Sequence, residues 1–433
     1  MENYFNKEIE TAPREYIKAK QSARLIKMVH NAYNNVEFYK NKFDEIGLSP
    51  SDIKSIDDIS KLPFTVKQDL RDTYPFGMFA VPKEELVRVH ASSGTTGKQT
   101  VVGYTQKDID IWSECASRSL SAASCTKSDY VQVSYGYGLF TGGLGLHYGV
   151  ETLGATVIPA SSGNTKRQIQ ILQDFGINIL ACTPSYAMFI GETIKEMGID
   201  PKTLPLRAGI FGAEAWSENM RKEIEKSLNI KAYDIYGLSE IAGPGVAYEC
   251  SEQSGMHICE DYFYPEIIDP ETLQPLPDGS YGELVFTCIG KEALPLVRYR
   301  TRDIAKLTRE KCSCGRTLIK MSKPRGRSDD MLVIRGVNVF PSQVEHVIIE
   351  LGMQPNYQII VERKNNMDMM TVCIEMSSEM FSDSVRKIEE TERKIEMAVQ
   401  STLSVSAKIH LVEPQSLPRS EGKAVRVIDK REI

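Results

Sequence analysis

LRAGIFGAEAWSENMRKEIEKSLNIKAYDIYGLSE (206–240) reads as strand, helix, strand. One apolar run ends in Gly212, Ala213 and Glu214, the amphipathic SENMRKEIEKSL follows, and a second apolar run ends at Tyr236 to Glu240. The same alternation runs upstream through YVQVSYGYG (130–138), GATVIPA (154–160), the amphipathic TKRQIQILQDF and NILACTPSY (178–186). Apolar strands alternating with amphipathic helices predict an α/β fold with a mostly parallel sheet. Polar and glycine residues follow each strand directly, and open α/β sheets bind ligands at that carboxyl edge. Tyr135 to Gly138, Thr183 to Tyr186, Gly212 to Glu214 and Tyr236 to Glu240 are therefore expected around one crevice.

The flanks read differently. The first 90 residues are helix-rich, with helical patterns near 14–34 and 66–72. Beyond about 261, EIID, GELVFTCI, LPLVRYRTRD and IAKLT are short strands with turn residues between them, which predicts an antiparallel, barrel-like part. From about 330, MLVIRGVNVF, SQVEHVIIEL, YQIIVER, MTVCIEM, a long helix near 380–402 and KIHLVEP predict a small α+β unit. The polar run KPRGRSDD (323–330) reads as a linker, so the expected domains are 1–328 and 329–433.

A chain of 433 residues is too long for one compact core. Its 41% hydrophobic and 25% charged content is that of a globular protein. A net charge of −6 gives no basic field for nucleic acid or an anionic membrane. No run of 18 apolar residues occurs, and MENYFNKEIE lacks the features of a signal peptide. The expected location is the cytoplasm, where nine cysteines do not imply a disulfide framework.

ASSGTTGK (91–98) packs four hydroxyls, two glycines and a lysine into eight residues. Glycines let backbone N–H groups turn toward one point and hydroxyls add donors, which suits phosphate oxygens. The spacing is not that of a Walker loop, and alone the string also suits a surface turn. YGLSE (236–240) sets Tyr236 to lie against a purine and Glu240 to offer a hard oxygen to Mg²⁺. YRTRD (299–303) closes a strand with Asp303, a carboxylate fit to accept a ribose diol. GRSDD (326–330) puts Arg327 beside two acids, and LPRSEGKAVR (417–426) sets Lys423 in a polar loop.

Taken in this order, these strings resemble the adenylate-forming superfamily of acyl-CoA synthetases, and within it the phenylacetate–CoA ligase family. The resemblance spans about 80–430 and also covers YGYGLFTGGLG (135–145), TPSY (183–186), FGAE (211–214) and GRSDDMLVIRGVNVFPSQVE (326–345). It implies a large N-terminal AMP-binding domain and a small mobile C-terminal lid. Ser92, Ser93, Gly94, Thr95, Thr96, Gly97 and Lys98 would hold the ATP phosphates. Gly212, Ala213, Glu214, Asp234, Ile235 and Tyr236 would frame adenine, Asp303 would bind ribose with Arg327 nearby, and Glu240 would ligate Mg²⁺. Lys423 would reach into the site for adenylation, Asp329 would be the hinge, and Arg335 and Gly336 would line the approach of CoA. Tyr135, Phe140, Gly142 and Gly143 would wall the acid pocket, a shape suited to a flat aryl group.

The implied partners are a carboxylic acid, ATP and CoA, with no nucleic acid or membrane and with room for a homodimer. Two rival readings remain open at this point. The adenylate passes to a carrier protein or an amine instead of CoA, or the chain binds nucleotide without catalysis. Against the second, Glu240, Asp303, Arg327 and Lys423 are all present.

Cys250, His257, Cys312 and Cys314 match no finger spacing, yet three thiols and one imidazole make a closed tetrahedral set for structural Zn²⁺. Cys259 is the alternate ligand. Such a site would tie the loop after YGLSE to the loop before GRSDD and steady the crevice.

Overall fold

The computed structural model describes residues 4–92, 99–328, 332–335, 337–364, 367–381, 385–403, 405–418 and 425–431. The chain divides into two compact units. The first comprises Met1–Cys182, Asp200–Ala213 and Ile230–Lys323; the second comprises Thr183–Ile199, Glu214–Asn229 and Pro324–Ile433. Two helical segments of the central region thus group with the C-terminal part, and the last break falls at the start of the KPRGRSDD run.

In the first unit, β1 (Arg88–Ala91) and β2 (Val101–Tyr104) form a hairpin whose connection is the Ser/Gly/Thr loop. A nine-stranded sheet follows, built from β3 (Tyr130–Val133), β4 (Thr156–Ile158), β5 (Ile179–Cys182), β6 (Ala208–Gly212), β7 (Lys231–Tyr236), β8 (Ala247–Glu249) and β9 (Met256–Ile258). A separate antiparallel sheet holds β10 (Phe263–Ile268), β11 (Gly282–Cys288) and β12 (Tyr299–Ala305). The strands β13 (Leu307–Thr308) and β14 (Lys320–Met321) return to the large sheet, whose order is β13-β14-β9-β8-β7-β6-β5-β3-β4.

From β4 to β7 the pairing is parallel, as the alternation of strands and helices predicts. Every residue of β5 and β6 is buried, as expected of central parallel strands covered on both faces. From β7 to β13 the pairing turns antiparallel. The antiparallel part beyond residue 261 is an open three-stranded sheet among the described residues. It does not close because Leu307 and Thr308 pair with Met321 and Lys320 rather than extending β12 along β11.

Helices fix the sheet's flank. The helix Arg14–Asn35 buries Ile17, Leu25, Met28, Val29 and Ala32, a stripe at helical spacing. Thr105 caps Gln106–Ala122: its hydroxyl accepts from the Asp108 N–H, and the Asp108 carboxylate accepts from the Thr105 N–H. Among the described residues no helix is long and apolar enough to cross a membrane.

The second unit contains the helices Pro184–Glu196 and Glu218–Leu228. They pack closely where Gly191 faces Ser227, since a Cβ at Gly191 would lie 2.5 Å from the Ser227 hydroxyl. The hairpin β15 (Leu332–Ile334) and β16 (Val337–Val339) and the helix Pro341–Glu350 follow. A sheet of order β19-β18-β17-β20 closes the unit, from β17 (Tyr357–Lys364), β18 (Met367–Glu375), β19 (Lys408–Val412) and β20 (Val427–Asp429). Ile359, Val361, Val372 and Ile374 of this sheet share a core with Val344, Ile348, Ile395 and Val399.

Candidate active site

The sheet order reverses between β3 and β5, because β4 lies on the far side of β3. Ligands bind at such a switch point, outside the carboxyl ends of the strands. The segment leaving β3 there is the Tyr135–Thr141 stretch. It is fastened to the hairpin that carries the Ser/Gly/Thr loop: Ala91 N–H donates to the Leu139 carbonyl at 3.0 Å, and His90 Nδ1 lies 2.9 Å from the same oxygen.

The stem of that loop closes on itself and on the predicted magnesium ligand. Ser92 N–H donates to the Thr100 carbonyl at 3.0 Å, and the two hydroxyls lie 2.6 Å apart. The Thr100 hydroxyl also donates to Glu240 Oε1 at 3.5 Å. Lys67 Nζ lies 3.5 Å from the same carboxylate oxygen, so a cation of the chain already faces Glu240. Glu240 is buried, and its hard oxygens beside hydroxyl groups fit a divalent magnesium ion.

The Glu240 turn is clamped from behind. Trp112 Nε1 donates to the Pro244 carbonyl at 2.9 Å and the Tyr104 hydroxyl to the Ala242 carbonyl at 3.3 Å. Gly237 is obligatory here, since a Cβ would lie 1.7 Å from the Gly243 carbonyl oxygen. Thr141 and Ser239 hydroxyls, 3.1 Å apart, tie this turn to the segment after β3.

At the end of β7 the Tyr236 hydroxyl donates to Asp303 Oδ2 at 2.5 Å. Asp303 is buried on β12, and its backbone N–H donates to the Thr301 hydroxyl oxygen at 3.0 Å, which fixes the backbone there. Lys323 Nζ lies 3.7 Å from Asp234, whose N–H donates to Glu249. Gly212 admits the Ile235 carbonyl, which would stand 2.1 Å from any Cβ, and Ala213 next to it takes the left-handed conformation at φ 69°.

The proposed acid wall divides. Tyr135 is buried in the core with Val131, Val133 and Leu146, whereas Phe140 is exposed. Gly142 and Gly143 bring helix backbone against aromatic rings: a Cβ would meet Phe140 Cε1 at 2.6 Å and Tyr137 Cδ2 at 3.0 Å respectively.

In the second unit, Glu214 receives the Ser185 hydroxyl at 2.8 Å and the Ser185 N–H at 3.3 Å. Arg335 is exposed and bound to the Asp368 carbonyl and the Ser406 hydroxyl at 2.9 and 2.7 Å. Arg327 is half-buried. Ser93, Gly94, Thr95, Thr96, Gly97, Lys98, Asp329, Gly336 and Lys423 lie outside the described residues.

The cysteine–histidine set does converge. One ligand atom from each of Cys250, His257, Cys312 and Cys314 lies within 4.8 Å of the others. Cys250 and Cys312 Sγ are 3.8 Å apart, and Cys314 Sγ is 3.5 Å from His257 Nε2. A tetrahedron with zinc–sulfur bonds near 2.3 Å and zinc–nitrogen bonds near 2.05 Å has edges of about 3.8 and about 3.5 Å, so the donor set fits this ion. The Cys250 hydrogen bond, ahead of the neighbouring His257, pulls the Cys314 thiol down to about 2. Cys259 is buried but donates instead to the Gly245 carbonyl. Ala247 pairs with Tyr236 across β7 and β8, so Cys250 stands about 10 Å back from the carboxyl edge. The cluster therefore braces the antiparallel half of the sheet rather than lining the crevice.

Sequence reasoning missed Lys67, Thr100, Tyr104 and Trp112. Lys67 sits in TVKQDLR, whose pattern announces only a short helix; the contact with Glu240 is made across 173 positions of chain.

Comparison with known proteins decides the family. The AMP-binding enzyme family matches residues 40–289 and the AMP-binding enzyme C-terminal domain matches 336–431. The phenylacetate-coenzyme A ligase of Pseudomonas putida is 51% identical over 430 residues, covering 98% of this chain and 96% of that protein. The chain belongs to the phenylacetate–CoA ligase family. The Escherichia coli K12 phenylacetate-coenzyme A ligase is 50% identical over 98% of this chain and 97% of its own. A solved structure of 2-hydroxyisobutyryl-CoA ligase, in the postadenylation state with an acyl-AMP, superposes with a TM-score of 0.93 at 28% identity, covering 99% of this chain and 92% of the other. As a member of the phenylacetate–CoA ligase family, the chain is an AMP-forming acid–thiol ligase.

Proposed function

We propose that the chain activates an aryl acid, phenylacetate foremost, with ATP and transfers the acyl group to CoA. The observation that carries this most is the cluster at the loop stem, where Ser92, Thr100 and Glu240 meet beside the segment that leaves the switch point. Carboxylate oxygen attacks the α-phosphorus, the bond to the β-phosphate bridging oxygen breaks, and pyrophosphate leaves. The CoA thiol then attacks the acyl carbon, AMP departs and the thiol proton goes to solvent.

Residues 92 to 98 hold the phosphates in this reading, and Glu240 holds Mg²⁺, which supplies charge neutralisation. Gly212, Ala213, Glu214, Asp234, Ile235 and Tyr236 frame adenine, with Asp303 and Arg327 at the ribose. Lys423 serves adenylation, Asp329 is the hinge between 1–328 and 329–433, and Arg335 and Gly336 face the pantetheine. Phe140, Gly142 and Gly143 contact the aryl group, with Tyr135 backing them from the core. The edge lengths of the cysteine–histidine set support a structural Zn²⁺. Free cysteines throughout suit the cytoplasm.

The test is pyrophosphate release and AMP formation over aryl and aliphatic acids, with and without CoA. Phenylacetate giving CoA-dependent turnover is the expected result. An aliphatic acid preferred over every aryl acid, or turnover indifferent to CoA, would refute the reading.

A further inference from the structure

Arg316, two residues after Cys314, is almost wholly buried, and one guanidinium serves two acceptors. Nε donates to Glu10 Oε2 at 2.7 Å, and Nη1 lies 3.6 Å from Cys314 Sγ. Glu10 has no solvent exposure. Its Oε1 accepts the N–H groups of Phe5 and Asn6 at 3.0 and 2.8 Å, and its Oε2 accepts the Tyr248 hydroxyl at 3.1 Å.

The knuckle also grips the same segment directly. The Tyr4 hydroxyl donates to the Cys314 carbonyl at 2.6 Å. Thr317 donates its N–H to the Glu10 carbonyl at 3.0 Å and its hydroxyl to the Ala12 carbonyl at 2.7 Å. The next helix has an independent anchor: Arg14 forks onto Glu260 at 2.6 and 2.5 Å, and Gln21 joins it.

A buried arginine is stable only while its anions stay in place, and groups around metal ligands hold and are held by them. We propose that the zinc-loaded knuckle is a latch for residues 4–12, in which the metal fixes Cys314 and Arg316, and Arg316 holds Glu10. Loss of the ion frees 4–12 and leaves the helix Arg14–Asn35 seated on Glu260. This rests on the Zn²⁺ reading above.

The test is hydrogen exchange on the full chain, followed by mass spectrometry, before and after zinc is stripped with a mercurial and a chelator. Elemental analysis of the starting protein should give one zinc per chain. Stripping should speed exchange of the amides of 5–12 at least tenfold, leave 14–35 and 357–375 unchanged, and reverse when Zn²⁺ returns. Arg316→Gln should keep the zinc and still loosen 4–12; Tyr4→Phe, which spares every ligand and the buried ion pair, should do so more weakly. Zinc present but 4–12 indifferent to its removal overturns the latch while the metal reading stands. Zinc absent overturns both. Loss of protection at 357–375 as well overturns the latch, because the ion would then support the whole fold.

Discussion

The Tyr236 hydroxyl holds the Asp303 carboxylate by a 2.5 Å hydrogen bond that spans β7 and β12. The two residues most directly tied to the nucleoside in the proposed site thus constrain one another before ATP arrives. A hydrogen bond to a charged acceptor is worth about 1.5 kcal/mol or somewhat more. Tyr236→Phe should therefore raise the KM for ATP by roughly tenfold with kcat little changed. Initial rates over varied ATP decide this, and an unchanged KM would remove Tyr236 from the positioning role.

Glu240 is fed by the loop stem through Thr100 and faced by Lys67. Glu240→Gln keeps the shape and deletes the charge. Adenylate formation should fall by about 10²–10³-fold, with weaker dependence on Mg²⁺ concentration. Thr100→Val should cost only several-fold, since it removes one orienting hydroxyl. Magnesium titrations of both variants check the order.

Lys423→Ala should abolish adenylate formation while thioester formation from supplied phenylacetyl-adenylate survives. Measuring the two half-reactions separately settles it; equal loss in both would count against the assignment.

Glu345 gives a pH signature. Burial pushes its carboxyl up to about 7; Arg426, 3.9 Å away, and the Ser217 N–H oppose this, while Glu214 adds to it and Tyr357 packs alongside. The folded chain then keeps a proton that the unfolded chain releases near pH 4.5, so stability falls as pH rises from about 4.5 to about 7 and levels off above. The loss is on the order of 3 kcal/mol. Glu345→Gln should flatten that slope in denaturant titrations between pH 5 and 8; an unaltered slope would show that Glu345 titrates normally.

Gly142→Ala would push a methyl group toward Phe140. Because Phe140 is exposed it has room to yield, so the KM for the aryl acid should rise several-fold and that for ATP should not. Loss of ATP affinity instead would mean that the segment serves the nucleotide.

Much of this was legible in the sequence because strand and helix periodicities are local. The runs ending at Gly212 and Tyr236 became adjacent parallel strands, and the residues after them reached the expected edge. Cys250, His257, Cys312 and Cys314 were readable as donors, but their place was not. It follows from Lys320 pairing with His257, which sets the knuckle back from the crevice. Lys67 beside Glu240 and Glu10 under Arg316 had no signal at all, since each contact joins distant segments whose own patterns are ordinary.

The Leu139 carbonyl receives Ala91 N–H and faces His90, and Thr141 meets Ser239. If the proposed roles of these segments hold, acid choice and nucleotide grip are not separable modules in this chain. Anyone redirecting the enzyme to a new acid by transplanting 135–145 alone should also detune the proposed phosphate loop. A working graft has to carry the 88–92 strand and the 237–244 turn with it, and relatives with different acids should differ in all three segments together.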